Sequence, residues 1–140
     1  MIVYAESSAV LSWLLGEPGQ ERTRKILAGA ERVVTSSLTG VECARALGRA
    51  RGQGRLTPTH ELAALRLLDV ALGAWDVHDL SDRILARARA GFPADPVRTL
   101  DALHLATALT FREAVGPLNV LSLDERVRAN AAALGLGLLP

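Results

Sequence analysis

The chain is predicted to be an α/β protein, a largely parallel sheet covered on both faces by helices, and three observations predict it. Short β-type apolar runs fall at residues 2–5, 33–36, 75–77, 119–122 and 136–139, with helix-like segments between them; such alternation is the pattern of crossover-connected parallel strands. The runs are mainly apolar rather than alternating, as strands buried on both faces require. The 140 residues, 49% hydrophobic and 22% charged, suffice for one core of ordinary composition, so residues 1–140 are read as a single domain.

The elements follow in order. Ile2-Val3-Tyr4-Ala5 makes the first strand and runs straight into Glu6, and Ser8 to Leu15 follows as a helix. Pro18 is placed to open a second helix near Gly19 to Ala28. Val33-Val34-Thr35-Ser36 is the second strand; Ser37 can cap a helix from Leu38 to about Arg51, which Gly52-Gln53-Gly54 breaks. Thr57-Pro58 opens the next helix, whose Leu62, Leu65, Leu68 and Leu72 form an apolar stripe. Trp75-Asp76-Val77 is the third strand. Ser81 starts a helix that ends near Gly91-Phe92-Pro93, and Gly91 to Pro96 is the one long irregular stretch. Thr99 caps the helix carrying Asp101, Val120-Leu121-Ser122 leads to Asp124, and Asp124 starts the last helix, to about Leu134.

Composition excludes several classes of function. Cys43 is the single cysteine, which leaves no disulfide and no cysteine–histidine zinc cluster. The start lacks a basic region and meets a carboxylate at once, unlike a signal peptide, and no apolar stretch is long enough to span a bilayer. A cytoplasmic protein with no membrane association is expected. The net charge of +1 hides an asymmetry: of sixteen basic residues only Lys25 is a lysine, so fifteen are arginine. Arginine grips phosphate with paired hydrogen bonds, which suits a nucleic-acid partner, although a genomic bias towards Ala, Arg, Gly and Leu produces the same count.

Four acids, Glu6, Glu42, Asp101 and Asp124, stand far apart in sequence, each where a strand or helix begins or ends. The carboxyl ends of parallel strands share one edge, and ligand sites form in the crevice there. Carboxylates gathered in that crevice repel unless a cation compensates them, and hard oxygen donors suit Mg²⁺ or Mn²⁺. Each acid also has a bland explanation. Glu6 could be a surface acid attracted to a helix N-terminus, Glu42 could pair with Arg45 at i, i+3, and Asp124 could simply be an N-cap. Asp101 could be a first-turn acid favoured by the helix dipole with no function, but it opens an almost wholly apolar helix, which buries its first turn and favours a lining role. His104 could touch substrate or a bound water, or be a core histidine satisfied by a neighbour. Cys43 reads as a small buried hydrophobe. Arg45, Arg49 and Arg51 could grip phosphates or form a solvated helix face.

Taken together, the motifs resemble those of the PIN-domain ribonucleases, in particular the VapC toxins of VapBC toxin–antitoxin pairs. The resemblance lies in Tyr4-Ala5-Glu6-Ser7-Ser8-Ala9, in Ser37-Leu38 through Glu42 to Arg45-Ala46-Leu47, in Leu100-Asp101-Ala102-Leu103-His104-Leu105-Ala106-Thr107-Ala108, and in Leu121-Ser122-Leu123-Asp124-Glu125-Arg126. It implies a three-layer α/β/α sandwich and a site of Glu6, Glu42, Asp101 and Asp124 around one or two Mg²⁺ or Mn²⁺ ions, with Ser8 and Ser122 as nearby hydroxyls. It further implies cleavage of RNA, a homodimer, and silencing by a small antitoxin whose tail enters the acidic groove. One departure stands out: the family's first acid is normally Asp, and here it is Glu6, one methylene longer. That leaves a second reading, a catalytically degenerate PIN fold that binds RNA or a protein partner. A receiver domain needs a lysine late in the chain and a haloacid-dehalogenase-type phosphatase needs two closely spaced aspartates after strand one; neither is present.

Overall fold

A computed structural model describes residues 1–140. Five strands, β1 (Ile2–Ala5), β2 (Arg32–Ser36), β3 (Asp76–His78), β4 (Asn119–Leu121) and β5 (Gly137–Leu138), make one sheet in the order β3-β2-β1-β4-β5. All four pairings are parallel, with Val3 opposite both Val33 and Asn119. Seven helices fill the crossovers: α1 (Ser7–Leu15), α2 (Gln20–Gly29), α3 (Ser37–Gly52), α4 (Pro58–Ala74), α5 (Asp82–Arg89), α6 (Thr99–Val115) and α7 (Glu125–Ala133).

The alternation of side chains along a strand assigns the layers. Tyr4, Val34 and Val120 point to one face, where they pack with Ala102, Leu105 and Leu109 of α6 and Val127 and Ala131 of α7. Val3, Ala5, Val33 and Leu121 point to the other, against Ala9 and Val10 of α1, Leu27 of α2, Cys43 of α3 and Leu68 of α4. Both faces of the central strands β1, β2 and β4 are therefore buried, which accounts for their lack of polar alternation, while β3 at the edge is largely exposed; the result is the expected three-layer α/β/α sandwich.

The strand order places the functional crevice. From β1 the chain winds outward to β2 and β3, then returns through α5 and α6 to lay β4 on the opposite side of β1. At that reversal the crossovers leave β1 and β4 in different directions and open a gap at their carboxyl ends. Glu6 follows β1 there and Ser122 follows β4, bridged by a backbone hydrogen bond from Glu6 N–H to the Leu121 carbonyl, 3.0 Å.

Local expectations hold with a few corrections. Thr57 and Ser81 cap α4 and α5 through their hydroxyls, and Asp124 caps α7. Ser36 rather than Ser37 caps α3, its hydroxyl accepting from the Leu38 N–H at 3.2 Å. Thr99 is the first helical residue of α6, whose cap position is held by Arg98 without a side-chain capping bond. The third strand is displaced by one residue, to 76–78. The leucine stripe of α4 is corrected too: its buried line is Ala64, Leu68 and Ala71, whereas Leu62 is 49% exposed. Leu62 lies about 120° round the helix from Leu68, so both cannot face one narrow contact.

Candidate active site

The four acids meet. Glu6, Glu42, Asp101 and Asp124 line one pocket with Ser7, Ser8, Leu11, Cys43 and Ala46, and with Arg49 and Arg98. They arrive from the end of β1, the second turn of α3, the first turn of α6 and the start of α7. Asp101 is buried and Glu6 is 4% exposed, so neither is surface decoration.

Glu6 occupies the cap position of α1 yet makes no side-chain capping bond. Its Oε2 instead accepts hydrogen bonds from the hydroxyls of Ser8 and Ser122, the latter at 2.7 Å. Those hydroxyls are themselves fixed: Ser8 Oγ accepts from the Leu123 N–H at 2.8 Å and Ser122 Oγ from the Asp124 N–H at 3.1 Å. The longer acid is thus built into the β4–α7 turn, and the two serines singled out in sequence stand beside it.

Glu42 does not pair with Arg45. Its Oε1 accepts from Ser7 Oγ at 2.9 Å and lies 2.6 Å from His104 Nε2. A carboxylate only accepts, so Nε2 carries the hydrogen, and Nδ1 of a neutral ring then accepts from the Tyr4 hydroxyl 2.8 Å away. His104 is 1% exposed: it is the satisfied core histidine, and at the same time a strut under Glu42. Burial works against the Glu42 charge, but the hydrogen bonds from His104 and the Ser7 hydroxyl outweigh it, and the carboxyl sits below its ordinary value. Burial, reinforced by Glu6 and Glu42, pushes the Tyr4 phenol well up, so it keeps its proton. Burial first, then the charges of Glu42 and Glu6, push the Cys43 thiol up to about 12. Although Cys43 lines the pocket, it is no thiolate nucleophile.

Asp124 is the helix cap that sequence alone suggests, with Oδ1 accepting from the N–H groups of Arg126 and Val127 at 2.9 and 3.0 Å. Its Oδ2 accepts from Arg98 Nη2 at 3.1 Å, and Arg98 Nε donates to Asp101 Oδ2, also at 3.1 Å. Arg98, Ser7 and Tyr4 are the residues sequence reading passed over. Arg98 sits three residues before Asp101, a spacing that could have suggested the first contact but not the second. Among the other arginines, Arg49 lines the pocket, Arg51 is held by Glu61 at 2.9 Å, and Arg45 is exposed on α3.

The donor set fits a hard divalent cation. Glu6 Oε1, Glu42 Oε2 and Asp101 Oδ1 remain uncommitted once the internal hydrogen bonds are assigned. No three His, Cys, Asp or Glu side chains close into a ready cage, so an ion here would rest on one or two carboxylates and complete its shell with water, which is how Mg²⁺ is commonly held.

Comparison with known proteins gives the family of the chain. The chain is 32% identical to ribonuclease VapC46 of Mycobacterium tuberculosis over 137 residues, which is 98% of this chain and 95% of that protein. Among solved structures it resembles M. tuberculosis VapC20, described as a sarcin-ricin loop cleaving toxin, with a TM-score of 0.63, 16% identity, and 91% and 93% of the two chains covered. It also resembles VapBC2 from Rickettsia felis bound to a DNA fragment from their promoter, with a TM-score of 0.64, 12% identity, and 99% and 98% covered; at such identities both likenesses concern the fold. The PIN domain family model matches residues 3–133, and the chain belongs to the PIN domain family.

Proposed function

We propose that the protein is a Mg²⁺- or Mn²⁺-dependent endoribonuclease, the toxin of a toxin–antitoxin pair, and that residues 1–140 work as one domain. The observation that carries the reading is the meeting of Glu6, Glu42, Asp101 and Asp124 in one pocket at the crevice between β1 and β4. The kinship with a VapC ribonuclease over nearly the whole chain supports RNA as substrate.

The chemistry a divalent ion supplies in such a site is activation of water and neutralisation of charge developing on a phosphodiester. This chain's own residues do the rest. Glu6, Glu42 and Asp101 carry the uncommitted oxygens, of which an ion would draw on one or two. Ser8 and Ser122 fix the rotamer of Glu6, and His104, backed by Tyr4, fixes that of Glu42. Arg49 on the rim offers a cation to the RNA backbone, with Arg45 further along the same helix. The exposed apolar side chains Leu85 on α5 and Leu100 on α6 support a homodimer. The likeness to the VapBC2 complex supports a small antitoxin partner, and a small reading frame just upstream would supply it. No helix is long and apolar enough to cross a membrane, in keeping with work in the cytoplasm.

Purified protein tests the reading: cleavage of single-stranded RNA should require Mg²⁺ or Mn²⁺, stop with chelator and vanish in Asp101→Asn, which removes the charge and keeps the shape. Cleavage that persists in Asp101→Asn contradicts it. The rival, a degenerate PIN fold that only binds, is motivated by Glu6 in place of Asp; RNA binding without cleavage under either metal would favour it.

A further inference from the structure

Four carboxylates around one pocket present a problem for the substrate as well as for the protein, because RNA is itself a polyanion. The nearest relief is Arg98. Its side chain is 66% exposed, yet its guanidinium is fixed at two points, Nε on Asp101 Oδ2 and Nη2 on Asp124 Oδ2, each at 3.1 Å. Two acids from different elements therefore share one cation at the mouth of the pocket, and those acids hold the arginine charge tightly.

The donor count shows what the arginine has left. A guanidinium carries five N–H groups in a planar fork. Two are used on Asp101 and Asp124, so three remain for the oxygens of a phosphate. The acceptor count shows what the arrangement costs. Both oxygens of Asp124 are committed, one to the α7 backbone and one to Arg98, and one oxygen of Asp101 is taken as well. A divalent ion drawing on these oxygens competes with Arg98 for them, and the guanidinium repels it even where it does not.

Resting on the metal-dependent nuclease reading, we propose that Arg98 is a substrate-phosphate residue held ready by Asp101 and Asp124, and that it weakens divalent-ion binding in consequence. The two acids do not depend on it for their places. Asp124 is anchored by its bonds to Arg126 and Val127 N–H, and Asp101 sits buried in the first turn of α6. Removing Arg98 therefore leaves the carboxylates where they are, short of a cation.

The test measures two bindings on the full chain, neither of which depends on turnover. Mn²⁺ binding is followed by electron paramagnetic resonance. Binding of a short labelled single-stranded RNA of mixed sequence is followed by fluorescence anisotropy in chelator. In Arg98→Gln, Mn²⁺ should bind about tenfold more tightly, the scale of removing one unit charge a few ångströms from a divalent ion in a solvent-screened site. RNA should bind more weakly, with its salt dependence reduced by about 0.7 in the log–log slope, as for one lost phosphate contact on a single strand. Arg98→Lys, which keeps the charge and loses the fork, should bind Mn²⁺ like wild type and bind RNA with intermediate affinity. Opposite shifts for metal and RNA are the signature, since a purely structural role would weaken both. Unchanged or weaker Mn²⁺ binding in Arg98→Gln, or unchanged RNA binding, overturns the proposal while the nuclease reading stands. A wild-type protein that binds no Mn²⁺ overturns the metal reading and the competition together.

Discussion

Shortening Glu6 by one methylene asks whether the site is built for glutamate or merely tolerates it. In Glu6→Asp the carboxylate withdraws by about one C–C bond, ~1.5 Å. The Ser122 contact, 2.7 Å in the structure, then opens to about 4 Å, beyond hydrogen-bond range, and the Ser8 contact opens similarly. Hydrogen bonds to a charged acceptor contribute roughly 1.5–3 kcal/mol each, and the fully buried Ser122 hydroxyl is left without its acceptor. Partial relaxation of the β4–α7 turn recovers some of this, so the expected loss is about 2–3 kcal/mol. At this chain length that corresponds to a melting temperature lower by roughly 10 °C. Thermal unfolding by circular dichroism in chelator reads the stability, and Mn²⁺ titration reads the site. A site built for glutamate should show a lower melting temperature, weaker Mn²⁺ binding and slower RNA cleavage in Glu6→Asp. An unchanged or raised melting temperature with tighter metal binding would refute it, and would mean that Glu6 is a misfit in a site made for Asp.

Two further predictions probe the ground beneath the acids. Tyr4→Phe removes the hydroxyl that His104 Nδ1 accepts from, and urea unfolding should register a loss of about 1–3 kcal/mol; in a His104→Phe background the same change should cost clearly less, because the stranded acceptor is gone. Cys43 is fully buried and its thiol is pushed up to about 12, so a thiol-disulfide reagent at mildly alkaline pH should leave the native protein untouched and react at once on unfolding. The folded thiol holds its proton more strongly than the unfolded one, so by linkage this contribution is intact below the ordinary thiol value of 9.0 and is lost as pH rises towards 12. Rapid labelling of the folded protein would contradict the buried assignment.

What was legible in the sequence was whatever depends on local pattern. The apolar runs ending in Glu6 and Asp124 gave strands and their edges, because burial on both faces leaves no room for polar alternation. The apolar helix around Asp101 gave a buried α6 for the same reason. Adjacent Ser36 and Ser37 could each cap α3, and only the register of β2, which carries Ser36 into pairing with His78, decides between them. The α4 stripe misled because leucines at mixed spacings fit a helix without saying which face has a neighbour. Arg98 was illegible for a different reason. Its partner Asp124 lies 26 residues away on another element, and only the return of the chain beside β1 brings them together. His104 showed both of its faces only once Tyr4, Ser7 and Glu42 were seen around one ring.

Whether these acids form one metal site is read by anomalous diffraction from crystals grown with Mn²⁺. A peak is expected in the pocket between β1 and β4, within coordination distance of at least one of Glu6, Glu42 and Asp101, which offer uncommitted oxygens, and it should be lost in Asp101→Asn. Mn²⁺ bound only elsewhere on the molecule, with this pocket free of anomalous signal, would contradict it.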